Sequence, residues 1–339
     1  SIVNDPWEAY NDIQAHNQLT LSNIEFTTTN LCNMRCSHCA VGYTLQTSDP
    51  DPLPMDLIYR RLDEIPHLKT MSITGGEPMF SKKSIRNVVK PLLKYAYDRG
   101  IYVQMNSNLT LPLDRYLDIA EYIDVMHISH NWGTIDTFTD VGFGAMEKQP
   151  PIKAKLKLYD QMITNARTLS EQGMFISAET MLNQSTLPHL EKIHAEIVKD
   201  MKCNRHEIHP MYPADFASQL EVLPLADMKK AIHHLLDFRD PQTWMLFGTL
   251  PIYPCINDEQ DQALLQRLRD TENVTMRNDP DGRNRLNVNV FTGNVIVTDF
   301  GDENGTISNI KSDKLPEVFN QWLQTPLAQS LNCHCSEFN

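Results

Sequence analysis

The chain has 339 residues, and its 43 aspartates and glutamates outnumber its 30 lysines and arginines, which gives a formal net charge of −13. This acidic balance argues against a nucleic-acid surface, which would show a basic patch, and no apolar run approaches the roughly 18 residues that span a bilayer. Seven cysteines in a chain of this length do not suggest a small disulfide-rich fold, so we expect neither nucleic acid nor membrane as a partner.

A strand followed by a cysteine-rich loop is the first predicted element. The β-branched run at residues 24–29 predicts the strand. Cys32, Cys36 and Cys39 follow with the spacing C-x3-C-x2-C, and His38 immediately precedes the last of them. This spacing lets one short loop wrap three thiolates around a single inorganic centre.

Three kinds of site compete for these cysteines. Three thiolates suffice for three irons of a 4Fe-4S cube, whose fourth iron is then free to bind a ligand that is not protein. Structural zinc usually takes four Cys or His ligands in paired C-x2-C form, so the x3 gap is unusual for it. Disulfides need an oxidising compartment and normally a small chain. We favour the cluster, which requires a reducing compartment and therefore predicts a cytoplasmic protein.

A second motif ends the next predicted strand. Residues 70–74 have the composition of a buried strand, and Gly75, Gly76, Glu77 and Pro78 follow it. The glycines let backbone approach a ligand closely, and Glu77 offers an acceptor for an ammonium group. Alone, such a sequence is an ordinary turn at a strand end. Its position after the cysteine loop makes it a candidate binding element.

Strands and helices alternate up to about residue 215. The further predicted strands are residues 101–106, 125–129, 174–180 and 207–212, and the predicted helices are residues 55–65, 84–99, 113–122, 154–172 and 187–200. Six strand-helix repeats predict an α/β fold in which helices cover a parallel sheet. Periodicity alone does not separate a partial (β/α)6 barrel from a doubly wound open sheet. In either case the ligand binds at the carboxyl ends of the strands.

Polar residues at those strand ends are candidate ligand contacts. We select Ser107, Ser129 and Asn183, while Glu179 is a weaker candidate. The alternative for each residue is a simple strand-end cap, since loops at this edge are polar in any case. The connection at residues 132–151 is long and contains glycines, so we expect it to act as a lid.

The cysteine loop resembles the signature of the radical S-adenosylmethionine (SAM) enzymes, in which an aromatic residue or His precedes the last cysteine. In that family a matching Gly-Gly-Glu-Pro segment holds the amino group of SAM. The resemblance implies a 4Fe-4S cluster on Cys32, Cys36 and Cys39, and SAM contacts from residues 75–78 and the three polar candidates. It also implies a partial (β/α)6 TIM-type barrel over residues 24–215, after an N-terminal segment at residues 1–23 that lacks signal-peptide features.

The resemblance further implies the reaction. SAM chelates the free iron, the reduced cluster passes one electron into the sulfonium, and the resulting 5′-deoxyadenosyl radical abstracts hydrogen from a substrate. A flavodoxin- or ferredoxin-type protein would donate the electron. The protein must then exclude other hydrogen donors and place one substrate C–H bond beside the radical.

Residues 216–339 are predicted to form a smaller C-terminal α+β extension. Its elements are a helix at 225–238, an apolar segment at 244–253, a hairpin from 287–291 and 294–298 around Thr292-Gly293, and a helix at 315–323. A two-stranded hairpin buries little core by itself, which suggests that a second metal centre staples it.

Cys255, Cys333 and Cys335 are the candidate ligands of that second centre. Their places before the hairpin and after the following helix resemble the SPASM or twitch extensions of radical SAM maturases. The closing segment resembles the Cys-x-Cys-x4-Cys motif of the YfkAB-like radical SAM family, although the third cysteine is absent after Cys335. The alternatives are a frayed tail with a simply buried Cys255, or zinc bound through His334. Cys203 is interpreted as structural.

These features predict a radical SAM enzyme that acts on a peptide or protein, because similar extensions occur in enzymes of that kind. A rearrangement of a small molecule or nucleotide is the alternative within the same chemistry. A non-catalytic Fe-S redox sensor or binding protein is a third possibility. The intact motif at residues 75–78 argues against the sensor, which needs no methionine-binding strand.

Overall fold

One sheet organises the part of the chain that the computed structural model describes, namely residues 5–39, 41–42, 45–211, 220–277, 281–297 and 305–332. Its strands are β1 (Asn23–Thr27), β2 (Thr70–Thr74), β3 (Tyr102–Ser107), β4 (Val125–Ser129), β5 (Ile176–Leu182), β6 (Arg205–Pro210), β7 (Trp244–Gly248), β8 (Val274–Arg277), β9 (Arg285–Asn289), β10 (Asn294–Ile296) and β11 (Thr306–Asn309). The order across the sheet is β11-β10-β9-β1-β2-β3-β4-β5-β6-β7-β8.

Helices connect and cover these strands. They are α1 (Tyr10–His16), α2 (Met55–Asp63), α3 (Lys82–Ser84), α4 (Lys90–Asp98), α5 (Leu113–Leu117), α6 (Ile135–Val141), α7 (Ile152–Glu171), α8 (Leu190–Ala195), α9 (Leu225–Phe238), α10 (Glu259–Asp270), α11 (Leu315–Leu323) and α12 (Pro326–Asn332). A π-helical segment, Ile85–Val89, joins α3 to α4, and a second, Glu196–Asp200, continues α8. Among the described helices, none has both the length and the apolar character to cross a membrane.

Strands β1 to β8 pair in sequence order, and every pair is parallel. The α/β fold with a parallel sheet and outer helices is therefore confirmed, and the six predicted strands correspond to β1–β6. The alternation of strand and helix dictates this arrangement, because each crossover needs a helix on the outer face.

The parallel array is larger than six strands. The apolar segment at 244–253 contains β7, and β8 is a four-residue strand that the sequence did not reveal. Strand β7 pairs with β6, so both sides of the predicted boundary at residue 215 belong to one sheet. The division into two domains at that residue remains a prediction.

The predicted hairpin is formed by β9 and β10, with Gly293 at a φ of 76° in the connecting turn. It is not isolated, because β9 also pairs in parallel with β1 over five residues. The main sheet thus supports the hairpin, and no metal centre is needed to stabilise it. A second cluster is therefore indicated by the cysteines of the extension and not by the hairpin.

The N-terminal segment bridges the two margins of the parallel array. Asp5 forms an ion pair with Arg277 of β8 at 2.8 Å. Trp7 is buried, and its indole N–H donates to Ser72 of β2 at 3.4 Å, while the Asn284 amide donates to its carbonyl oxygen at 3.3 Å. Because Asn284 directly precedes β9, this segment contacts both margins of the parallel array.

Candidate active site

A cavity of about 280 Å³ lies at the carboxyl ends of the strands and contains both sequence motifs. Among its lining residues are Cys32, Cys36 and Cys39 of the loop after β1, Gly76 and Glu77 of the turn after β2, and Ser107 and Ser129 at the ends of β3 and β4. Its volume is near the lower end of the range of about 300–1,000 Å³ found for small-molecule sites.

The two glycines press the second motif against the cysteine loop. The N–H of Gly76 donates to the carbonyl of Thr29 at 3.0 Å, and the N–H of Glu77 donates to that of Leu31 at 2.7 Å. A Cβ atom on Gly76 would lie 2.2 Å from the Leu31 oxygen, and one on Gly75 would lie 2.7 Å from the Thr29 oxygen. Only glycine permits this backbone-to-backbone contact.

The segment at residues 132–151 packs on the other side of the cysteine loop. The backbone N–H of Arg35 donates to Gly142 at 3.1 Å, and that of Ser37 donates to Val141 at 2.9 Å. A Cβ atom on Gly144 would lie 1.9 Å from the Ser37 hydroxyl oxygen. The glycines therefore allow close packing of this segment against the cysteine loop, and its role as a lid stays a prediction.

Glu77 is buried and fastens the second motif to the end of β3. One carboxylate oxygen accepts from the Ser107 hydroxyl at 2.8 Å and from the Met79 N–H at 3.1 Å, and the other accepts from the Asn108 N–H at 2.6 Å. Burial raises the pKa of Glu77 to about 7, although these hydrogen bonds oppose the shift. A carboxylate has about four acceptor positions, so one remains for a ligand.

Ser107, the last residue of β3, mainly holds neighbouring groups in position through hydrogen bonds. Its hydroxyl bonds Glu77, accepts from the Leu109 N–H at 3.0 Å and lies 2.9 Å from the Tyr116 hydroxyl. Leu109 has a φ of 61°, which is rare for a leucine and marks backbone strain next to the site. Asn165 of α7 holds this strained segment by donating to the Leu109 carbonyl at 2.9 Å. The sequence signal that we missed is an asparagine on the apolar face of a helix.

The three thiols fit a cube better than a single metal ion. Burial raises the pKa of Cys32 to about 12, and the charge of Glu77 adds to the shift, so three thiolates need a cationic centre beside them. Cys32, Cys36 and Cys39 all line one cavity. A structural zinc ion usually takes four Cys or His ligands, so these three thiols alone would leave it one ligand short.

His38 and Trp132 form one wall of the cavity. Both side chains are buried, and their rings lie 5.6 Å apart. Burial lowers the pKa of His38 to about 4, so its ring is neutral, and the Asn131 amide lies 3.3 Å from its Nε2. The Trp132 indole N–H has no hydrogen-bond acceptor among the described residues. A buried donor of this kind costs free energy unless a ligand pairs with it.

The remaining sequence candidates separate into two groups. Ser129 is exposed within the cavity wall, so its hydroxyl can reach a ligand. Asn183 does not line the cavity; its side-chain Oδ1 instead accepts from the Thr186 N–H at 2.9 Å and closes the turn after β5. Gly75 and Pro78 belong to the turn of the second motif but are not among the lining residues.

A buried charge network lies inside the barrel, and the sequence analysis missed it. Glu207 of β6 accepts from Arg205 at 2.6 Å and lies 2.9 Å from His209 and 3.5 Å from Arg277. Burial would raise the pKa of Glu207, but Arg205, His127 and Arg277 outweigh it and hold that pKa well below the usual value. The overlooked signal was three charged or titratable residues at alternate positions of one strand.

His127 connects this network to the cavity. Its Nε2 lies 2.9 Å from Glu179 and 3.5 Å from Glu207, and both His127 and Glu179 line the cavity. Burial disfavours the imidazolium, but the two carboxylates outweigh it and raise the pKa of His127 to about 9. These three side chains could geometrically hold a metal ion, yet Arg205 and Arg277 already supply positive charge to Glu207.

The candidate ligands of a second cluster are only partly described. Cys255 is exposed in the connection between β7 and α10, at the same edge of the sheet as the cavity. Cys333 and Cys335 lie outside the described residues. Cys203 is buried in the core, as expected for a structural cysteine.

Family comparisons agree with these observations. The model of the radical SAM superfamily matches residues 26–197, and that of the YfkB-like domain matches residues 211–339. The chain belongs to the radical SAM superfamily. It is 59% identical over 331 residues to the YfkA protein of Bacillus subtilis (strain 168), a match that covers 98% of this chain and 88% of YfkA. The recognition of a YfkAB-like radical SAM enzyme, with a 4Fe-4S cluster and SAM as cofactors, is confirmed.

Solved radical SAM structures share the fold. The chain superposes on SuiB of Streptococcus suis bound to S-adenosylmethionine with a TM-score of 0.64 and 16% identity, covering 95% of this chain and 70% of SuiB. It superposes on anSMEcpe with bound AdoMet and the Cp18Cys peptide with a TM-score of 0.58 and 14% identity. This match covers 91% of this chain and 81% of anSMEcpe. At these identities the likeness concerns the fold alone.

The position of His127 predicts a pH dependence of stability. Its pKa is about 9 in the folded protein against 6.5 for the unperturbed group, so its protonation stabilises the fold fully below pH 6.5, and this contribution is lost as the pH rises through 9. In the wild type, the free energy of unfolding should therefore decrease between pH 6.5 and pH 9. We expect this decrease to be smaller in the variant His127→Asn. Denaturant unfolding under anaerobic conditions, at a series of pH values, measures the free energy of unfolding of both proteins.

The matched control is His234→Asn, because the His234 side chain is 53% exposed on α9. This variant should retain the pH dependence of the wild type. If the free energy of unfolding depends on pH equally in the wild type and in His127→Asn, the two carboxylates do not hold a proton on His127.

Proposed function

We propose that this radical SAM enzyme binds its cluster through Cys32, Cys36 and Cys39, binds SAM through the turn at residues 75–78 and through Ser129, and abstracts hydrogen from a peptide or protein. The observation that carries the proposal is that the three thiols and the Gly-Gly-Glu turn line one cavity at the carboxyl ends of the strands.

When bound, the cluster and SAM supply a 5′-deoxyadenosyl radical, which takes a hydrogen atom from a C–H bond. The task of this chain is to keep other hydrogen donors away from it. Met34, Trp132, Phe138 and Met162 are buried and present apolar surface to the cavity, as does the half-buried Met181. An apolar wall on this side excludes water, while polar groups remain on the other side.

The polar side of the cavity has separate binding and positioning groups. Glu77 retains one acceptor position for the ammonium group of SAM. Ser107 holds the Glu77 carboxylate in place through a hydrogen bond. Ser129 and the Trp132 indole N–H can donate to oxygen or nitrogen atoms of a bound ligand. Glu179, held by His127 at 2.9 Å, presents a carboxylate to the same space.

A peptide or protein substrate is supported by the proteins that share the fold. SuiB has been crystallised with the precursor peptide SuiA, and that structure superposes with a TM-score of 0.62 and 15% identity, covering 95% of this chain and 69% of SuiB. The anSMEcpe structure also contains a peptide. We infer by analogy that the present chain acts on the same class of substrate.

We further propose a second Fe-S cluster on Cys255, Cys333 and Cys335. All three cysteines fall within the part of the chain that matches the YfkB-like domain. Cys255 lies at the edge of the sheet where the cavity opens, so a cluster there would be near the substrate. A flavodoxin- or ferredoxin-type protein is proposed as the electron donor.

The triple variant Cys32→Ala/Cys36→Ala/Cys39→Ala is expected to lose 5′-deoxyadenosine formation completely, because no other described residues can hold the cluster in this cavity. The measurement is chromatographic detection of 5′-deoxyadenosine after anaerobic reconstitution and reduction with dithionite in the presence of SAM. The control is Cys203→Ala, which removes a buried thiol in the core and should retain the activity. Turnover by the triple variant would end the proposal.

The second cluster predicts an iron content of about eight per chain after reconstitution, since each cube holds four. The variant Cys333→Ser/Cys335→Ser should lose about four of them, yet still cleave SAM without substrate. Iron analysis and 5′-deoxyadenosine formation measure the two effects. About four irons in the wild type, or no loss in the variant, would remove the second site.

The substrate class can be tested without knowing the substrate. Hydrogen abstraction transfers a substrate hydrogen to 5′-deoxyadenosine, so we expect deuterium in this product when the enzyme reacts with the protein and peptide fraction of cells grown on deuterated amino acids. The metabolite fraction of the same cells is the control. Deuterium transfer from the metabolite fraction alone would favour a small-molecule substrate instead.

A further inference from the structure

The helix that follows the Gly-Gly-Glu turn carries a one-sided row of positive charge. Lys82, Lys83, Arg86, Lys90 and Lys94 are all exposed along α3, the π-helical segment and α4. The first acidic residue of this helix is at position 98. Such a row is unexpected in a chain whose net charge is −13.

The far end of the row is neutralised. Lys94 forms an ion pair with Asp98 at 2.9 Å, and Lys90 forms one with Asp118 of the neighbouring helix end. The groove beside this end is also lined by Glu121, so acidic groups accompany the lysines there.

The near end of the row is neutralised less. Neither Lys82 nor Arg86 forms an ion pair with an acid among the described residues, although Arg86 lines the groove that Asp98, Asp118 and Glu121 also line. Lys83 lies 3.4 Å from Asp51, but the two side chains are 63% and 93% exposed, so water screens their attraction. Phe80, just before this helix, is 39% exposed. We name Phe80, Lys82, Lys83 and Arg86 the basic patch.

The helix turn that carries the basic patch is hydrogen-bonded to the segment that leads from β1 into the cysteine loop. The Ser84 hydroxyl, on the inner side of the same helix turn, donates to the Thr28 carbonyl at 2.6 Å. Thr28 precedes Cys32 by four residues, which span at most about 14 Å of extended chain. On the other side, Arg115 donates to the carbonyls of Met79 and Phe80, both at 2.7 Å, and holds the exposed phenylalanine in position.

We propose that the basic patch docks an acidic one-electron donor protein of flavodoxin or ferredoxin type. The inference rests on the proposed function, because the cluster must be reduced before SAM is cleaved. With a flavodoxin, the anionic flavin hydroquinone would lose one electron and become the neutral semiquinone, and that electron would reduce a bound cluster from the 2+ to the 1+ state. The flavin proton remains with the donor.

Charge complementarity is the reason for choosing this occupant. An acidic donor is repelled by most of the surface of a chain with a net charge of −13, so a less neutralised positive patch steers it to one place. An exposed aromatic residue within a charged rim is the usual composition of a docking interface. A nucleic acid fits less well, because it needs a longer basic surface than one helix end.

The test compares two reductants acting on the same variant, Lys82→Glu/Arg86→Glu. With reduced flavodoxin as donor we expect the second-order rate of 5′-deoxyadenosine formation at low ionic strength to fall by about tenfold or more, and its dependence on salt to flatten. With dithionite, a small reductant that needs no docking site, the rate should equal that of the wild type. The neutral variant Lys82→Gln/Arg86→Gln should give an intermediate flavodoxin-driven rate.

The matched control is Lys153→Glu/Lys157→Glu, which makes the same change of charge at two exposed positions of α7. It should leave the flavodoxin-driven rate near that of the wild type. An unchanged rate in the patch variant, an equal loss in the α7 variant, or no graded response in the neutral variant would overturn the docking proposal.

Two other outcomes are distinguishable. If the wild type forms no 5′-deoxyadenosine with dithionite, the proposed function itself fails. If the wild type binds RNA in a salt-sensitive manner that reversal of the patch abolishes, while the flavodoxin-driven rate does not change, the patch is a nucleic-acid surface and the docking proposal is wrong.

Discussion

The contact between the cysteine loop and the turn after β2 is the constraint on which the site depends. Two backbone hydrogen bonds, from Gly76 to Thr29 and from Glu77 to Leu31, join the segments directly. Because a Cβ atom on Gly76 would meet the Leu31 oxygen at 2.2 Å, this approach requires glycine. Parallel pairing of β1 and β2 brings the two segments to the same edge, and the glycines then close the remaining distance.

That contact places Glu77 where hydrogen-bond donors offset the free-energy cost of burying its carboxyl group. A carboxyl group this deeply buried would be costly alone, but three donors from Met79, Ser107 and Asn108 surround it. The same bonds attach β3 to the site, and Asn165 supports the strained backbone at Leu109. The residues that we propose to bind the cofactors are thus placed by a series of hydrogen bonds through three consecutive strand ends.

Beneath the cavity, the inner face of the sheet carries charged side chains, whereas apolar side chains commonly pack the interior of such barrels. Glu207 is surrounded by Arg205, His209, Arg277 and His127, and this network reaches the cavity through Glu179. A buried carboxylate is stable only with such compensation, so removing one cation would leave an unpaired charge. The N-terminal segment joins the same network through Asp5. The site and the N-terminal segment therefore share one electrostatic network.

The chemistry and the first six strands could be predicted from the amino-acid sequence. Cysteine spacing, the Gly-Gly-Glu-Pro turn and six alternating strands and helices are local patterns, and local patterns follow from backbone geometry and ligand chemistry. The remaining features required the three-dimensional structure. It showed that the short strand β8 extends the sheet, that β9 joins β1, and that Asn183 bonds Thr186 instead of lining the cavity. It also showed that Glu207 meets partners from β4, β5 and β8. These features depend on contacts between residues distant in the chain, and such contacts leave no periodic signal in a single sequence.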